Sequence, residues 1–133
     1  MKLITRNTDY AIRALYFIAR KEGKVVAVPE LVKALAIPRP FLRKVLQGLT
    51  KKGFVRSYKG IGGGFMLAKA PGRIYIIDVA GTFQGPLRLN ECFLKKEPCP
   101  NRKVCCLKKR IDRLEKYLSS ELGSITIGEL LKG

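Results

Sequence analysis

The stretch RPFLRKVLQGLTKKGFVRSYKGIGGGFMLAKA, residues 39–70, contains two kinds of local structure in succession. In its first half Pro40 suits an opening helical turn, apolar side chains recur at 41, 42, 45, 46 and 49, and Gly53 stands where a C-terminal cap belongs, which predicts a helix over 40–53. In its second half a pair of β-prone runs, Phe54 to Tyr58 and Phe65 to Ala68, flanks a loop containing Gly60, Gly62, Gly63 and Gly64. Such runs predict a hairpin. Upstream, VPELVKALAI (28–37) begins with Pro29 and Glu30, both suited to a helix start, and stops before Pro38. Before it, TDYAIRALYFIARKEG (8–23) has apolar positions at 11, 12, 14, 15, 18 and 19 and ends at Gly23. Two helices a few residues apart resemble a helix-turn-helix, and the hairpin that follows reads as its wing. The predicted fold class is mainly α with a small β-hairpin: a winged helix-turn-helix, followed by a long C-terminal dimerisation helix.

Charge gives this fold a partner. The chain has 133 residues, 27 Lys and Arg against 10 Asp and Glu, and a net charge of +17. No acidic residue occurs between Glu30 and Asp78, whereas Lys33, Arg39, Arg43, Lys44, Lys51, Lys52, Arg56, Lys59, Lys69 and Arg73 all lie in that interval. A solvated surface mixes signs, so a block of one sign points to a polyanion. On the third helix Arg39, Arg43 and Gln47 recur every four residues, along one face opposite the core stripe. Arg suits guanine edges and Gln suits adenine, while Lys44, Lys51 and Lys52, with Arg56 and Lys59 of the hairpin, suit phosphates, and Gly60 lets the hairpin backbone approach a sugar-phosphate strand. The glycines match neither G-x-x-x-x-G-K-[ST] nor G-x-G-x-x-G, which argues against a nucleotide cradle.

The segment ECFLKKEPCPNRKVCCLKKRI (91–111) holds every cysteine of the chain, and the sequence has no histidine. Cys92, Cys99 and Cys105 are spaced C-x6-C-x5-C, with Cys106 adjacent to the last. Thiolates in a reducing compartment are ligands of iron–sulfur clusters or zinc, or form a redox switch. Nearby Lys and Arg offset the negative charge of a cluster. After this loop Val104, Leu107, Ile111, Leu114 and Leu118 alternate spacings of three and four, and Leu122 and Ile125 continue them. That stripe predicts a helix that pairs with a second copy.

These features divide the chain into a DNA-binding domain at 1–81, a cysteine-containing loop at 82–103 and a dimerisation helix with a C-terminal segment at 104–133. No apolar run is long enough for a membrane span, and Arg13 interrupts the stretch where a signal peptide would be continuous, so a cytoplasmic protein without membrane attachment is expected. An electron carrier would account for the cysteines but not for the acid-free basic block. A basic RNA-binding protein would account for charge but not for the cysteines. No histidine, nucleophile motif or paired carboxylate supports an enzyme.

The order TDYAIRAL, basic helix, VRSYKGIGGGFMLAKAP, then clustered cysteines near residue 100, resembles the Rrf2 family of bacterial winged-helix regulators across essentially the whole chain. The resemblance implies a homodimer bound to a pseudo-palindromic operator in double-stranded DNA, most simply as a repressor. An iron–sulfur cluster, [2Fe-2S] or [4Fe-4S], would then govern binding in response to nitric oxide, redox state or cluster supply. It assigns Cys92, Cys99 and Cys105 as ligands. In some members a histidine three residues after the third cysteine completes the set, but Lys108 stands there in this chain. In others an aspartate in a TDYA segment does so, which makes Asp9 the first candidate, reaching the partner subunit's cluster, with Cys106 as its rival. Members often open the recognition helix with Ser or Thr and place Arg before the wing's first glycine. Pro38, Pro40 and Lys59 depart from that pattern and imply a different operator.

Overall fold

The computed structural model describes residues 3–89 and 105–133. Three helices, α1 (Arg6–Arg20), α2 (Val28–Leu35) and α3 (Arg39–Lys51), precede an antiparallel hairpin of β1 (Val55–Tyr58) and β2 (Gly64–Leu67). A 3-10 turn at Pro71–Arg73, α4 (Ile76–Gln84), α5 (Cys106–Gly123) and α6 (Ile127–Leu131) complete the described elements. The expected winged helix-turn-helix is present. α1 is the central helix, in contact with α2, α3, α4, α6 and β2: Ala11, Ala14 and Leu15 are fully buried and Ile18 nearly so. Thr5 caps it, its side chain accepting the Thr8 backbone N–H at 3.4 Å.

Between α2 and α3 the chain turns on three residues. Ala36 adopts a left-handed conformation (φ 54°) and its N–H donates to the Val32 carbonyl at 3.0 Å, Ile37 is buried, and Pro38 is the N-cap of α3. Pro38 can neither donate a hydrogen bond nor continue α2, so the second helix must start in a new direction. On α3, Leu42, Val45, Leu46 and Leu49 are buried at 2% exposure or less. Phe41 is not among them. It is 51% exposed, because a residue one position before Leu42 is rotated by about 100° and falls at the edge of the apolar stripe.

The hairpin pairs Val55 with Leu67 and Tyr58 with Gly64, and Phe65 forms a further antiparallel bridge with Val26 through two hydrogen bonds of 2.8 Å. Close backbone approach explains Gly64, since a Cβ there would lie 2.2 Å from the Val26 carbonyl oxygen. This bridge ties the wing to the α1–α2 connection.

The carboxyl end departs from a single uninterrupted stripe. α5 stops at Gly123, and the following residues return to the segment before α4: Ile76 N–H donates to the Ile125 carbonyl at 3.0 Å and Ile127 N–H to the Ile74 carbonyl at 2.9 Å. Ile127 is fully buried, and α6 packs on α1 and the 3-10 turn. Ile125 therefore packs against the core rather than extending the α5 stripe. Val104 lies outside the described residues. Among the described residues no helix is long and apolar enough to cross a membrane.

Candidate nucleic-acid interface and cysteine site

All ten cations between Glu30 and Asp78 are exposed, and among the described residues none of them is paired with a carboxylate. The ion pairs lie elsewhere, at Arg13–Asp9 (2.9 Å), Lys21–Glu30 (3.2 Å) and Lys108–Asp112 (2.6 Å). On α3, Arg39, Arg43, Lys44, Gln47 and Lys51 all face solvent, opposite the buried Leu42, Val45, Leu46 and Leu49. Arg56 is on β1, Lys59 and Gly60 are in the hairpin loop, and all three are exposed. Lys69 is held near the Phe54 ring at 5.1 Å, a cation–π contact at the foot of the hairpin. Helix and wing thus present a basic surface on rigid supports. The exposed Phe41 adds an apolar group near the start of α3, of the kind that contacts thymine methyl groups. Its hydrophobicity hid it in the sequence; the position of 41 on the helical wheel was the available signal.

α4 packs on the side of α3 that carries Lys44, Gly48 and Lys51. A Cβ at Gly48 would lie 2.9 Å from the Phe83 ring, so the glycine lets the aromatic press against the helix backbone. The next residue, Gln84, clasps the start of α1: its Oε1 accepts from Thr8 Oγ1 at 2.7 Å and from Thr5 N–H at 3.0 Å, and its Nε2 donates to the Leu3 carbonyl at 2.9 Å. Thr8 is fully buried, so this network satisfies a hydroxyl that would otherwise be costly. Asp9 is the next residue on α1. The clasp therefore joins the turn that carries Asp9 to the end of α4, from which the chain runs on toward the cysteines.

Of the five expected metal ligands, Cys92 and Cys99 lie outside the described residues. Cys105 is the N-cap of α5, half-buried, and its Sγ accepts the Lys108 backbone N–H at 3.4 Å. Cys106 is the first residue of that helix and is exposed. Asp9 is partly exposed and paired with Arg13. Among the described residues no three Cys, Asp or Glu side chains come together as a metal site. Cys105 thus stands at the N-terminus of an 18-residue helix, where its sulfur receives a backbone N–H hydrogen bond. Hydrogen bonds to ligating sulfur also help to set cluster potentials.

α5 itself has no buried residue. Leu107 (66%), Leu114 (53%) and Tyr117 (63%) are open to solvent, Ile111 and Leu118 are half-buried, and α4 is its main neighbour. Leu122 reaches an apolar cleft with Ile76, Ile77 and Leu87.

Similar proteins share this fold. A predicted HTH-type transcriptional regulator of Aquifex aeolicus (strain VF5) is 35% identical over 131 residues, which cover 97% of this chain and 91% of that protein. The structure of CymR, the global cysteine regulator of B. subtilis, matches with a TM-score of 0.80 at 22% identity, covering 99% of this chain and 98% of CymR. T. potens IscR matches with a TM-score of 0.78 at 23% identity, covering 99% and 87%. The Rrf2 family profile, described as an iron-dependent transcriptional regulator, matches residues 4–133. The chain therefore belongs to the Rrf2 family of transcriptional regulators rather than to any class of enzyme.

Proposed function

We propose that this regulator binds a pseudo-palindromic DNA duplex as a homodimer and that an iron–sulfur cluster controls its affinity. The observation that carries the DNA reading is the block of ten exposed cations on and around α3 and the hairpin, in an interval without one carboxylate. Arg39, Arg43 and Gln47 enter a major groove, and Lys44, Lys51, Arg56, Lys59 and the Gly60 backbone engage phosphates. The exposed Leu107, Leu114 and Tyr117 of α5 support pairing with a second copy, which would present two recognition helices one helical turn apart. Residues 1–81 then act as the DNA-binding unit, 82–103 as the cluster loop and α5 as the dimer seam, with α6 returned to the DNA-binding unit. A reducing cytoplasm is the compartment that suits such thiol chemistry.

Cys92, Cys99 and Cys105 would hold the cluster, with Asp9 of the partner subunit as fourth ligand and Cys106 as its alternative. The cluster would supply a centre sensitive to redox state or nitric oxide. The chain's own contribution is to place the Cys105 sulfur at the α5 N-terminus and to link Asp9, through the Thr8–Gln84 clasp, to the α4 that packs on α3. Anaerobic purification followed by visible spectroscopy and DNA binding, with and without cluster, is the test. Serine at Cys92, Cys99 or Cys105 should abolish the visible absorbance, Cys106→Ser should retain most of it, and Asp9→Ala should leave a more labile cluster.

A second reading is a cluster-free or zinc-containing regulator switched by its thiols. It is supported by the Asp9–Arg13 ion pair, which already occupies the carboxylate, and by the fold shared with a cysteine regulator. Protein that stays colourless after reconstitution with iron and sulfide, yet binds DNA differently when oxidised, would establish it.

A further inference from the structure

α1 has a side that neither the core nor the basic surface uses. Between α1, α2 and α6 lies an open groove of about 530 Å³, walled by Ile12, Tyr16 and Phe17 of α1, Leu35 of α2 and Leu130 of α6. Leu130 is exposed and the other four are half-buried, so the groove offers apolar surface along three helices. No described residue of α3 or the hairpin lines it, so an occupant need not displace anything bound to the basic surface.

Apolar surface alone names no occupant, but the charges on this groove do. Arg13 and Arg20 are its only charged lining residues, and both are exposed. Seven residues apart on α1, they stand on one face and two turns apart, about 10 Å along the axis. The Arg20 guanidinium lies 5.9 Å from the centre of the Tyr16 ring, a cation–π contact that holds the charge at the groove. Among the described residues Arg20 has no carboxylate partner, whereas Arg13 shares its charge with Asp9 at 2.9 Å. Arg20 is therefore the stronger anchor for an anion. A single carboxylate cannot span both arginines, which disfavours a small anion. A helix can, because its positions i, i+3, i+4 and i+7 share one face.

We propose that this groove docks an amphipathic helix of another protein, one that presents two carboxylates seven residues apart to Arg13 and Arg20. Apolar side chains at the third and fourth positions between them would then meet Tyr16, Leu35 and Leu130. The proposal stands apart from the DNA-binding reading, since the two use different faces of the protomer.

The test uses the full-length protein and a fluorescein-labelled alanine-based helix with glutamates seven residues apart and leucines at the third and fourth positions between them. A second helix of the same composition carries its glutamates on opposite faces. Wild-type protein should bind the first about tenfold more tightly than the second in fluorescence anisotropy, as one lost charge-assisted contact implies. Arg20→Glu should lose that preference, and one of the two probes with a single glutamate changed to arginine should restore tight binding to it. Leu130→Ala should weaken the first helix without changing its salt dependence, because it removes no charge. Sedimentation and DNA binding of Arg20→Glu, measured on the same samples, should match the wild type. Equal binding of the two helices would reveal attraction to the +17 charge alone and overturn the proposal. Failure of both arginine-bearing probes to rescue Arg20→Glu would overturn the assigned contact. Weakened self-association in Arg20→Glu would show that a second copy covers the groove, and would also overturn it. None of these failures would touch the DNA-binding reading, which falls only if the wild-type protein binds no duplex.

Discussion

α3 and α5 are both amphipathic helices with a basic face, yet their environments are opposites. α3 has 13 residues and buries Leu42, Val45, Leu46 and Leu49 within its own chain, so only its polar face is left to act. α5 has 18 residues and buries none. Its leucines are the unsatisfied element, and its charges serve locally, as in the Lys108–Asp112 pair. The same sequence pattern therefore marks two functions. Where a helix completes a core, its outward residues define what it binds; where its apolar stripe stays largely open, that stripe defines what binds it. The contrast is open to direct attack.

The largest effect is expected at the core of α3. Leu46→Ala should cost about 2–5 kcal/mol in urea unfolding, since it empties a fully buried site, whereas Leu114→Ala should change the stability of an isolated protomer by far less. Equal costs at the two positions would erase the distinction between the helices. Next comes assembly: Leu114→Lys puts a charge into the proposed seam and should weaken self-association by on the order of 100-fold in sedimentation, with operator binding falling in parallel. A stable dimer in that variant would place the seam elsewhere.

A smaller effect is expected on the polar face of α3. Arg43→Ala should cost about 1–3 kcal/mol at the specific site and little on random DNA, with the fold intact because the side chain is exposed. The smallest lies at the turn between α2 and α3. Ala36 holds a left-handed conformation that disfavours residues with a Cβ, so Ala36→Gly should shift stability by less than about 1 kcal/mol, in the stabilising direction if relief of that strain outweighs the added freedom of the unfolded chain. Strong destabilisation would show that the Ala36 methyl contributes to packing.

The elements that local chemistry specifies are legible in the sequence alone. Pro29, Pro38 and Pro40 punctuate α2 and α3, the apolar spacing of α1 gives its buried face, and the glycine run between β-prone segments gives the hairpin. The exclusion of acidic residues from 31–77 needed only reading. Each of these signals acts over a few residues, or is a sum over charges whose sign does not depend on the fold.

What the sequence concealed depends on distant partners. α4, IIDVAGTFQ, carries a weak local signal because it is short, has no side-chain cap and is rich in β-branched residues; it exists by packing on α1 and α3. Gln84 looks like an ordinary polar residue until its partners Leu3, Thr5 and Thr8, 76 to 81 positions away, surround it. Ile125 continued the stripe of α5 in register, yet the chain breaks at Gly123 and carries it to the strand-like segment at Ile74–Ile76. By itself the sequence determined which faces are apolar, which are basic, and where helices and turn begin. Only the tertiary structure decided which apolar faces are already covered, because burial belongs to pairs of surfaces, and one member of each pair lies far away along the chain.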